Sequence, residues 1–435
     1  MCEKITRELF SFIENSPSTF HVVENMRKEL LENGYEQLLA GQKWNLQRGG
    51  KYFVIRNGST IIAFRIPKKF YGFQIMASHS DSPTFKIKEN PEMCVEDHYI
   101  KLNIEKYGGM TYAPWFDRPL SVAGRLIVKE DGKICTKLVD AGRDLVMIPN
   151  IAIHMNHDLN SNMKFSVQRD LLPLYGDGSA KGTFMKQMAE AAGVRLEDVV
   201  GHDLYLYNRM EGRIWGANRE YISIGKLDDL QCAFSSLKAF LNSDTGESIP
   251  IHCVFDNEEV GSHTRQGAAS TFLQDVLTRI CESFDKNREA YRCLQACSFM
   301  LSMDNAHAVH PNYPDKACPT NRPYMNEGVV IKSCANQKYA TDGVSTAMFK
   351  ELCDRAKVPY QLYLNHGDVP GGSTLGNLAT TQVGVNTVDI GLAQLAMHSP
   401  YETAGIKDTG YLIDVAKVFY RSSLREEGYG CYSIR

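Results

Sequence analysis

Apolar and polar residues alternate along the chain in short, regular blocks that predict both helices and strands. Near the N-terminus, Ser18 can cap a helix whose apolar side begins at Phe20 and whose end is marked by Gly34. Three short apolar runs follow, each bounded by Gly, Pro or charged residues. They predict strands of one sheet at 52–55, 61–66 and 73–77.

After residue 222 the pattern becomes a helix followed by a buried strand, repeated four times. This alternation predicts an α/β fold: a three-layer α/β/α domain around a central mixed sheet. The predicted pairs are 230–241 with 249–255, 271–284 with 298–303, 344–356 with 360–364, and 375–382 with 387–392.

The stretch between these two parts has a different pattern, with alternating strands and polar turns such as 124–132 and a Gly- and Asp-rich segment at 175–182. A chain of 435 residues exceeds the size at which one hydrophobic core keeps growing. We therefore predict two domains, one inserted into the other. The catalytic domain comprises 1–88 and 222–435, and a mostly-β inserted domain comprises 89–221.

Composition and charge narrow the classes of function. Apolar residues make up 43% and charged residues 23%, which is ordinary for a globular protein. The net charge of −3 and the absence of long Lys and Arg runs argue against nucleic-acid partners. The sequence shows neither a signal peptide nor eighteen consecutive apolar residues, so we expect a cytoplasmic protein without a membrane partner.

The number and spacing of the cysteines also agree with a cytoplasmic protein. The twelve cysteines are dispersed and include no C-x-x-C pair, although Cys293 and Cys297 lie close together on helix-like sequence. This spacing favours reduced structural thiols over a disulfide framework. It also argues against a zinc site of cysteine thiolates.

Groups able to bind a metal stand where predicted strands end or where the next helix begins. In open α/β sheets, ligands bind in the crevice outside the carboxyl ends of the strands. Histidine nitrogens and carboxylate oxygens are ligands of catalytic zinc. The candidates at five such junctions are His79 with Asp81, Asp228, Glu258 with Glu259, Asp304, and His398.

Each of these groups has an ordinary explanation when it is considered alone. Asp228 is typical of a helix N-terminus, Asp304 of a turn and His398 of a loop. Five such junctions in one predicted sheet favour a shared metal site instead. The adjacent Glu258 and Glu259 add to this, because hydrolysis by a metal-activated water needs one carboxylate as ligand and another to accept the proton.

Five motifs in the sequence resemble those of the aspartyl aminopeptidases, a branch of the dinuclear zinc aminopeptidases, in their bacterial form. The resemblance runs over essentially the whole chain. The motifs are 77–83 (ASHSDSP), 227–230 (LDDL), 255–262 (FDNEEVGS), 302–313 (SMDNAHAVHPNY) and 394–399 (QLAMHS).

This resemblance implies a site for two zinc ions per subunit. Asp228 bridges the ions, with His79 and Asp304 on one and Glu259 and His398 on the other. Manganese or cobalt could replace zinc, because imidazole and carboxylate ligands accept all three metals.

The resemblance also implies how the site works. Glu258 is the general base, and Asp81 lies behind His79, where a carboxylate orients a metal-binding histidine. A hydroxide that bridges the ions attacks the first peptide bond, while the free amine of the substrate is held nearby. The implied function is a zinc-dependent aminopeptidase that acts on peptides.

His154 lies in the apolar segment 151–155, whose pattern by itself is typical of a strand. The resemblance implies instead that His154 reaches the active site of a neighbouring subunit and stabilises the oxyanion. The inserted domain is then a dimerisation domain. The implied assembly is a homo-oligomer, a dodecamer built from dimers.

The expected substrates carry Asp or Glu at the N-terminus, as eukaryotic family members favour, and a buried carboxylate needs a cationic partner. Candidate substrate-binding residues in segment 329–342 are Lys332, Lys338 and Tyr339. Asn336 stands where the family pattern has a lysine, so a neutral N-terminal residue stays open. Gly372, in a Gly-rich turn before a helix, is a further candidate that could hold substrate through its backbone N–H.

Some alternatives remain open from the sequence. His307 and His310 rival Asp304 as ligands, although Asp304 directly follows its strand. A carboxypeptidase or deacylase could use the same two-metal site on a different bond. A non-catalytic oligomeric scaffold could keep the fold, but loss of catalysis normally replaces a ligand or the base, and all of these residues are present.

Overall fold

The computed structural model describes residues 2–161, 163–369 and 371–435, so that Met1, Asn162 and Pro370 lie outside it. Its largest element is a nine-stranded sheet with both parallel and antiparallel neighbours. The predicted central mixed sheet is therefore confirmed. In order across the sheet, the strands are Glu36–Leu38, Lys51–Arg56, Thr60–Arg65, Ile249–Phe255, Phe73–His79, Phe299–Met303, Asn386–Gly391, Val329–Lys332 and Tyr360–Tyr363.

Helices pack against both faces of this sheet. Successive strand residues such as Phe53 and Val54 point to opposite faces, and each belongs to a separate apolar core. The predicted three-layer α/β/α arrangement is confirmed. One face carries Cys2–Glu14, Thr19–Glu32, Leu227–Asn242, Gly343–Ala356 and Asp408–Arg421. The other face carries Phe272–Glu282, Arg288–Ala296 and Leu375–Gln382.

The helix Thr19–Glu32 begins and ends as its sequence predicts, with one difference in the capping contact. Ser18 holds the N-cap position, but its hydroxyl lies 2.8 Å from His21 Nδ1 and caps no backbone N–H. At the other end, Gly34 adopts a left-handed conformation with φ of +78°, which suits a residue without Cβ.

A second sheet of six strands, antiparallel throughout, forms entirely from residues 84–208 and has its own apolar core. Two helices, Val167–Asp170 and Phe184–Ala191, pack against this sheet and its core. The strands in order are Lys133–Asp140, Leu120–Glu130, Val199–Asn208, Thr84–Val95, Tyr99–Tyr107 and Leu174–Asp177.

The boundaries of the predicted domains fall inside strands. The strand Thr84–Val95 spans the boundary at 88, and Tyr221–Ile224 spans the boundary at 221. The latter strand pairs with Glu402–Gly405, which belongs to the C-terminal part of the chain. The division into a catalytic and an inserted domain stays a prediction.

Smaller elements complete the fold. A five-stranded sheet contains Arg213–Trp215, Tyr221–Ile224, Glu402–Gly405, Ala393–Leu395 and Ala306–His307, and a C-terminal hairpin contains Leu424–Gly428 and Cys431–Ile434. The short 3₁₀ helices are Ala113–Trp115, His157–Asn160, Gly178–Ala180, Leu196–Asp198, Glu258–Val260 and Pro314–Lys316.

The cysteines match the expectation of reduced thiols. All twelve lie in the described part of the chain, and each is a free cysteine there. Among the described helices, none combines the length and the apolar character that a bilayer crossing requires.

Candidate metal centre

The predicted ligands meet at one edge of the nine-stranded sheet. Three neighbouring parallel strands, Ile249–Phe255, Phe73–His79 and Phe299–Met303, have their carboxyl ends at this edge. His79 is the last residue of one strand, and Asp304 directly follows another. Parallel pairing thus brings together groups that are far apart in sequence.

Asp228 lies at the centre of the cluster, near the start of the helix Leu227–Asn242. Its Oδ1 is 3.4 Å from His79 Nε2, and its Oδ2 is 3.4 Å from His398 Nε2. His398 Nε2 is also 3.3 Å from Glu259 Oε2. The two carboxylate oxygens of Asp228 therefore face two separate groups of side chains.

Three overlapping groups each bring their ligand atoms within 4.8 Å of one another. Two of them share Asp228 and together contain the five predicted ligands. Two ligand atoms that each lie about 2.0 to 2.1 Å from a tetrahedral zinc ion are about 3.3 Å apart, close to the distances around Asp228. The groups are His79 with Asp228 and Asp304, Asp228 with Glu259 and His398, and His79 with Glu258 and Glu259.

Unpaired oxygens in this cluster also fit a cation. Asp228 Oδ1, Asp229 Oδ1 and Glu259 Oε1 are buried and have no hydrogen-bond partner among the described residues. A buried carboxylate oxygen without a partner is costly, and coordination to a metal is one of the usual ways in which it is satisfied. The donor set of imidazole and carboxylate groups is that of a zinc site.

Electrostatics support the same interpretation, because the carboxyl groups here repel one another. Burial and neighbouring carboxylates raise the pKa of Glu258 to about 8, and burial raises that of Asp304 to about 6. For Asp228, burial opposes ionisation, but the neighbouring imidazoles of His398 and His79 hold its pKa below its usual value. Cations would relieve this concentration of negative charge.

Asp81 connects the loop after one strand with the loop after the next. Its main-chain oxygen lies 3.0 Å from His79 Nδ1, and its Oδ1 lies 3.4 Å from the same nitrogen. Its carboxylate also accepts hydrogen bonds from the backbone N–H groups of Glu258 and Glu259, both at 3.1 Å. Tyr107 donates a further bond of 2.7 Å to Asp81 Oδ2.

Two further carboxylates in the cluster were not predicted. Glu402 is 1% exposed and accepts hydrogen bonds from the backbone N–H groups of Asp228 at 3.0 Å and His398 at 2.8 Å. Asp229 accepts a bond of 3.1 Å from the backbone N–H of His79. The sequence could have indicated Asp229, because it directly follows the predicted ligand Asp228. Nothing in the sequence around Glu402 distinguishes that residue.

The structure also bears on the rival ligands His307 and His310. Neither belongs to a metal-capable group in the described residues, whereas Asp304 does. His310 Nδ1 accepts a hydrogen bond from the backbone N–H of Asn312, and the His310 ring packs 5.0 Å from that of Tyr313. The geometry favours Asp304.

Lys332 has contacts that differ from the prediction that it binds substrate. It is 2% exposed, and its Nζ donates to the main-chain oxygens of Asp304 at 2.6 Å and Asn305 at 3.3 Å. The same ammonium lies 3.6 Å from Asp304 Oδ2. Its hydrogen-bonding capacity is thus directed at the loop that carries Asp304.

The other candidate substrate-binding residues are less constrained. Lys338 and Gly372 are exposed. Tyr339 is buried, with its ring 6.5 Å from that of Tyr363 and 5.3 Å from Lys332 Nζ. Contact of these three residues with substrate stays a prediction.

His154 is not on a strand, contrary to the pattern of its segment. It is exposed in a turn, together with the apolar side chains of Ile151, Ile153 and Met155, which are 42%, 41% and 76% exposed. The apolar residues of this segment fill no described core, so their alternation indicated a strand that does not form. His154 belongs to none of the metal-capable groups of the described residues.

Comparison with known proteins agrees with this geometry. The model of the family "Aminopeptidase I zinc metalloprotease (M18)" matches residues 12–420. A "Probable M18 family aminopeptidase 2" of Clostridium acetobutylicum is 45% identical over 426 residues, which is 96% of this chain and 98% of that protein. One of Pseudomonas aeruginosa is 37% identical over 432 residues, 97% of this chain and 99% of that protein.

Solved structures show the same fold. The chain in "Cryo-EM structure of the Ape4 and Nbr1 complex" has a TM-score of 0.94 and 33% identity, over 97% of this chain and 86% of that one. The chain in "Structure of S. cerevesiae mApe1 dodecamer" has a TM-score of 0.84 and 27% identity, over 96% and 97%.

These matches extend over nearly the whole chain and agree with the predicted enzyme class. They support an aminopeptidase rather than a carboxypeptidase, a deacylase or a non-catalytic scaffold. The chain belongs to the M18 family of zinc metalloprotease aminopeptidases.

Proposed function

We propose that this protein is an aminopeptidase with sites for two zinc ions, in which Asp228 would be a ligand shared by both sites. The observation that carries the proposal is the position of the Asp228 carboxylate, with one oxygen 3.4 Å from His79 Nε2 and the other 3.4 Å from His398 Nε2. Asp304 would complete the first metal group and Glu259 the second. Zinc bound there would supply a Lewis acid that lowers the pKa of water and polarises the scissile carbonyl.

Glu258 is proposed as the general base. Its carboxyl group belongs to a metal-capable group with His79 and Glu259, so it lies beside the reaction centre. Its backbone N–H donates to Asp81 Oδ1 at 3.1 Å, which helps to hold the start of this loop in place. Glu258 would take the proton of the attacking water and pass it to the leaving amine.

Asp81 and Glu402 are proposed as positioning residues. Asp81 orients His79 and the backbone of the loop with Glu258 and Glu259, while Glu402 holds the backbones of Asp228 and His398. Groups in contact with metal ligands fix the orientation of those ligands and strengthen metal binding.

His154 is proposed to act in the active site of a neighbouring subunit. The exposed apolar turn around it, with Ile151, Ile153 and Met155, supports a subunit contact, because clustered exposed apolar residues mark interaction sites. One of the related structures is a dodecamer. We infer that this chain forms a dodecamer of dimers, with residues 89–221 as the dimerisation domain and His154 as an oxyanion donor.

The substrates are proposed to be peptides with an N-terminal Asp or Glu, with neutral residues as the second possibility. The ammonium of Lys332 is hydrogen-bonded to the Asp304 loop. Lys338, exposed in the same segment, is therefore the remaining candidate to pair with an acidic side chain of the substrate.

Twelve free thiols support a reducing compartment, which we propose is the cytoplasm.

The proposal is tested by turnover of peptides that differ only in the N-terminal residue, measured with and without a chelator. Loss of turnover with the chelator and its recovery with zinc are expected. Asp and Glu peptides should be cleaved faster than Leu and Ala peptides. Matched peptides with an acetylated N-terminus should not be cleaved, and preference for the acetylated peptides would contradict an aminopeptidase mechanism.

A further inference from the structure

A row of buried polar side chains crosses the centre of the nine-stranded sheet. Asp389 pairs with Ser302 on one neighbouring strand and with Lys332 on the other. Directly paired residues of neighbouring strands point to the same face. Ser302 and Asp389 are 0% exposed and Lys332 is 2% exposed, so this row lies within the interior.

Lys332 reaches from this row to the metal centre. Its strand ends at Lys332 itself, and its Nζ contacts both the main-chain oxygen of Asp304, at 2.6 Å, and the carboxylate of Asp304, at 3.6 Å. Among the ion pairs of the described residues, the pair of Lys332 with Asp304 is the only one in which a lysine or arginine contacts a predicted metal ligand.

Asp389 makes separate contacts that leave the ammonium of Lys332 directed at Asp304. Its Oδ2 accepts from the backbone N–H of Ala340, and its Oδ1 accepts from Thr374 Oγ1, both at 2.5 Å. Asp389 therefore connects its strand to the two segments that contain Ala340 and Thr374. It also supplies a negative charge opposite Lys332, which makes a buried ammonium tolerable.

We propose that Lys332 is a positioning residue of the metal site, which holds the backbone and carboxylate of Asp304 in the orientation required for zinc. This inference rests on the proposed two-zinc function. The contacts of Lys332 are with the loop of Asp304, so we expect its effect at the position of His79 and Asp304 rather than at the position formed by Glu259 and His398.

The test uses the purified full-length protein and the variant Lys332→Met, whose unbranched side chain keeps the packing but removes the charge. Zinc affinity is measured by competition with a fluorescent chelator. We expect two zinc ions to bind to wild type, and one of them to bind about tenfold to a hundredfold more weakly to the variant, the range for changes beside metal ligands. Asp304→Ala, which removes the ligand itself, identifies the affected position.

Arg65→Met is the matched control. Arg65 is also a buried cation on this sheet, 9% exposed, and its guanidinium donates to Ser243 O at 2.6 Å and Ser243 Oγ at 2.9 Å. This variant should unfold at a lower temperature and retain both zinc affinities. Lys332→Gln, which keeps a polar group, serves as a second variant if Lys332→Met does not fold.

Each outcome distinguishes the two hypotheses. Two ions bound by Lys332→Met with wild-type affinity would overturn the inference and leave the proposed function intact. An equal loss at both positions would also overturn it, because it would indicate a general structural role. Intact zinc binding with a raised KM for Asp and Glu peptides alone would instead make Lys332 a substrate-binding residue. Fewer than two ions in wild type would overturn the proposed function itself.

Discussion

Glu258 is the residue on which the proposed proton transfer depends. Its carboxyl group is half-buried, and burial together with the charge of Asp304 raises its pKa to about 8. We expect Glu258→Gln to lower kcat by about a hundredfold to ten-thousandfold, the usual contribution of a general base. The amide keeps the shape of the side chain but cannot take a proton.

Steady-state kinetics and zinc analysis of the same preparation check this prediction. Zinc content should stay at the wild-type level, because Glu258 is not one of the five proposed ligands. Glu197→Gln, the same change at an exposed surface position, is the control and should not alter kcat. Wild-type kcat in Glu258→Gln would show that another group accepts the proton.

His252 makes the stability of the fold depend on pH. It is 0% exposed, its Nδ1 lies 2.8 Å from Ser236 Oγ, and its ring stacks on Phe240. Burial lowers its pKa to about 3. The unfolded chain therefore binds this proton more tightly than the folded chain, and its contribution to stability is fully present above about pH 6.5 and lost as the pH falls towards 3.

We expect the stability advantage of wild type over His252→Gln to shrink by about 1.4 kcal/mol for each pH unit below 6.5. Scanning calorimetry at pH 8, 6 and 5, at one protein concentration, measures this through the difference in unfolding temperature. The exposed His157 provides the control variant His157→Gln. A difference between wild type and His252→Gln that does not change with pH would contradict the prediction.

At the scale of elements, the helix Gly343–Ala356 begins with a capping box. Asp342 Oδ1 accepts from the backbone N–H of Ser345 at 2.7 Å, and Ser345 Oγ accepts from the backbone N–H of Asp342 at 3.0 Å. This cap ends the segment that contains Lys338 and Tyr339. The cap therefore fixes the point at which the candidate substrate-binding segment ends and the helix begins.

We expect Asp342→Ala to lower the free energy of unfolding by about 0.5 to 2 kcal/mol, as loss of an N-cap usually does. Thermal unfolding of the variant measures the effect. Asp354→Ala makes the same change in the same helix at an exposed position near its C-terminus, where a negative charge is unfavourable. Equal destabilisation by both variants would show that the cap is not the cause.

Most of the proposed site residues could be predicted from the sequence because they stand at the ends of predicted strands. The strands that carry His79, Glu259 and Asp304 were each recognisable as apolar runs, and each ligand stands at or just after its strand. The sequence did not reveal the order of these strands across the sheet. That order depends on pairing between segments far apart in the chain, such as Ile249–Phe255 with Phe73–His79.

At the scale of the whole molecule, the proposed role of His154 requires that each subunit contributes this residue to the active site of a neighbouring subunit. His154→Ala should lower kcat by about a hundredfold to a thousandfold, the cost of losing one oxyanion donor. Its zinc content should remain unchanged. A variant with wild-type kcat would show that His154 is not an oxyanion donor.

Mixed assemblies separate a role in the neighbouring site from a role in the same subunit. When His154→Ala and Glu258→Gln subunits are dissociated, mixed and reassembled, random mixing should restore activity in about a quarter of the sites, because each site needs Glu258 from one subunit and His154 from another. Kinetics of the mixture, beside each variant reassembled alone, measures this. No recovery in assemblies shown to contain both variants would place His154 and Glu258 in the same subunit's site.

The sequence by itself determined the α/β alternation and the five proposed ligand positions. These depend on local information, namely apolar periodicity and the chemical type of the residue at each strand end. Only the tertiary structure showed that Glu402 supports Asp228, 174 residues away, and that the ammonium of Lys332 is directed at Asp304. The apolar residues around His154 likewise appear as a strand in the sequence but form an exposed turn. Burial and long-range hydrogen bonds decide such features, because they arise only when distant segments pack together.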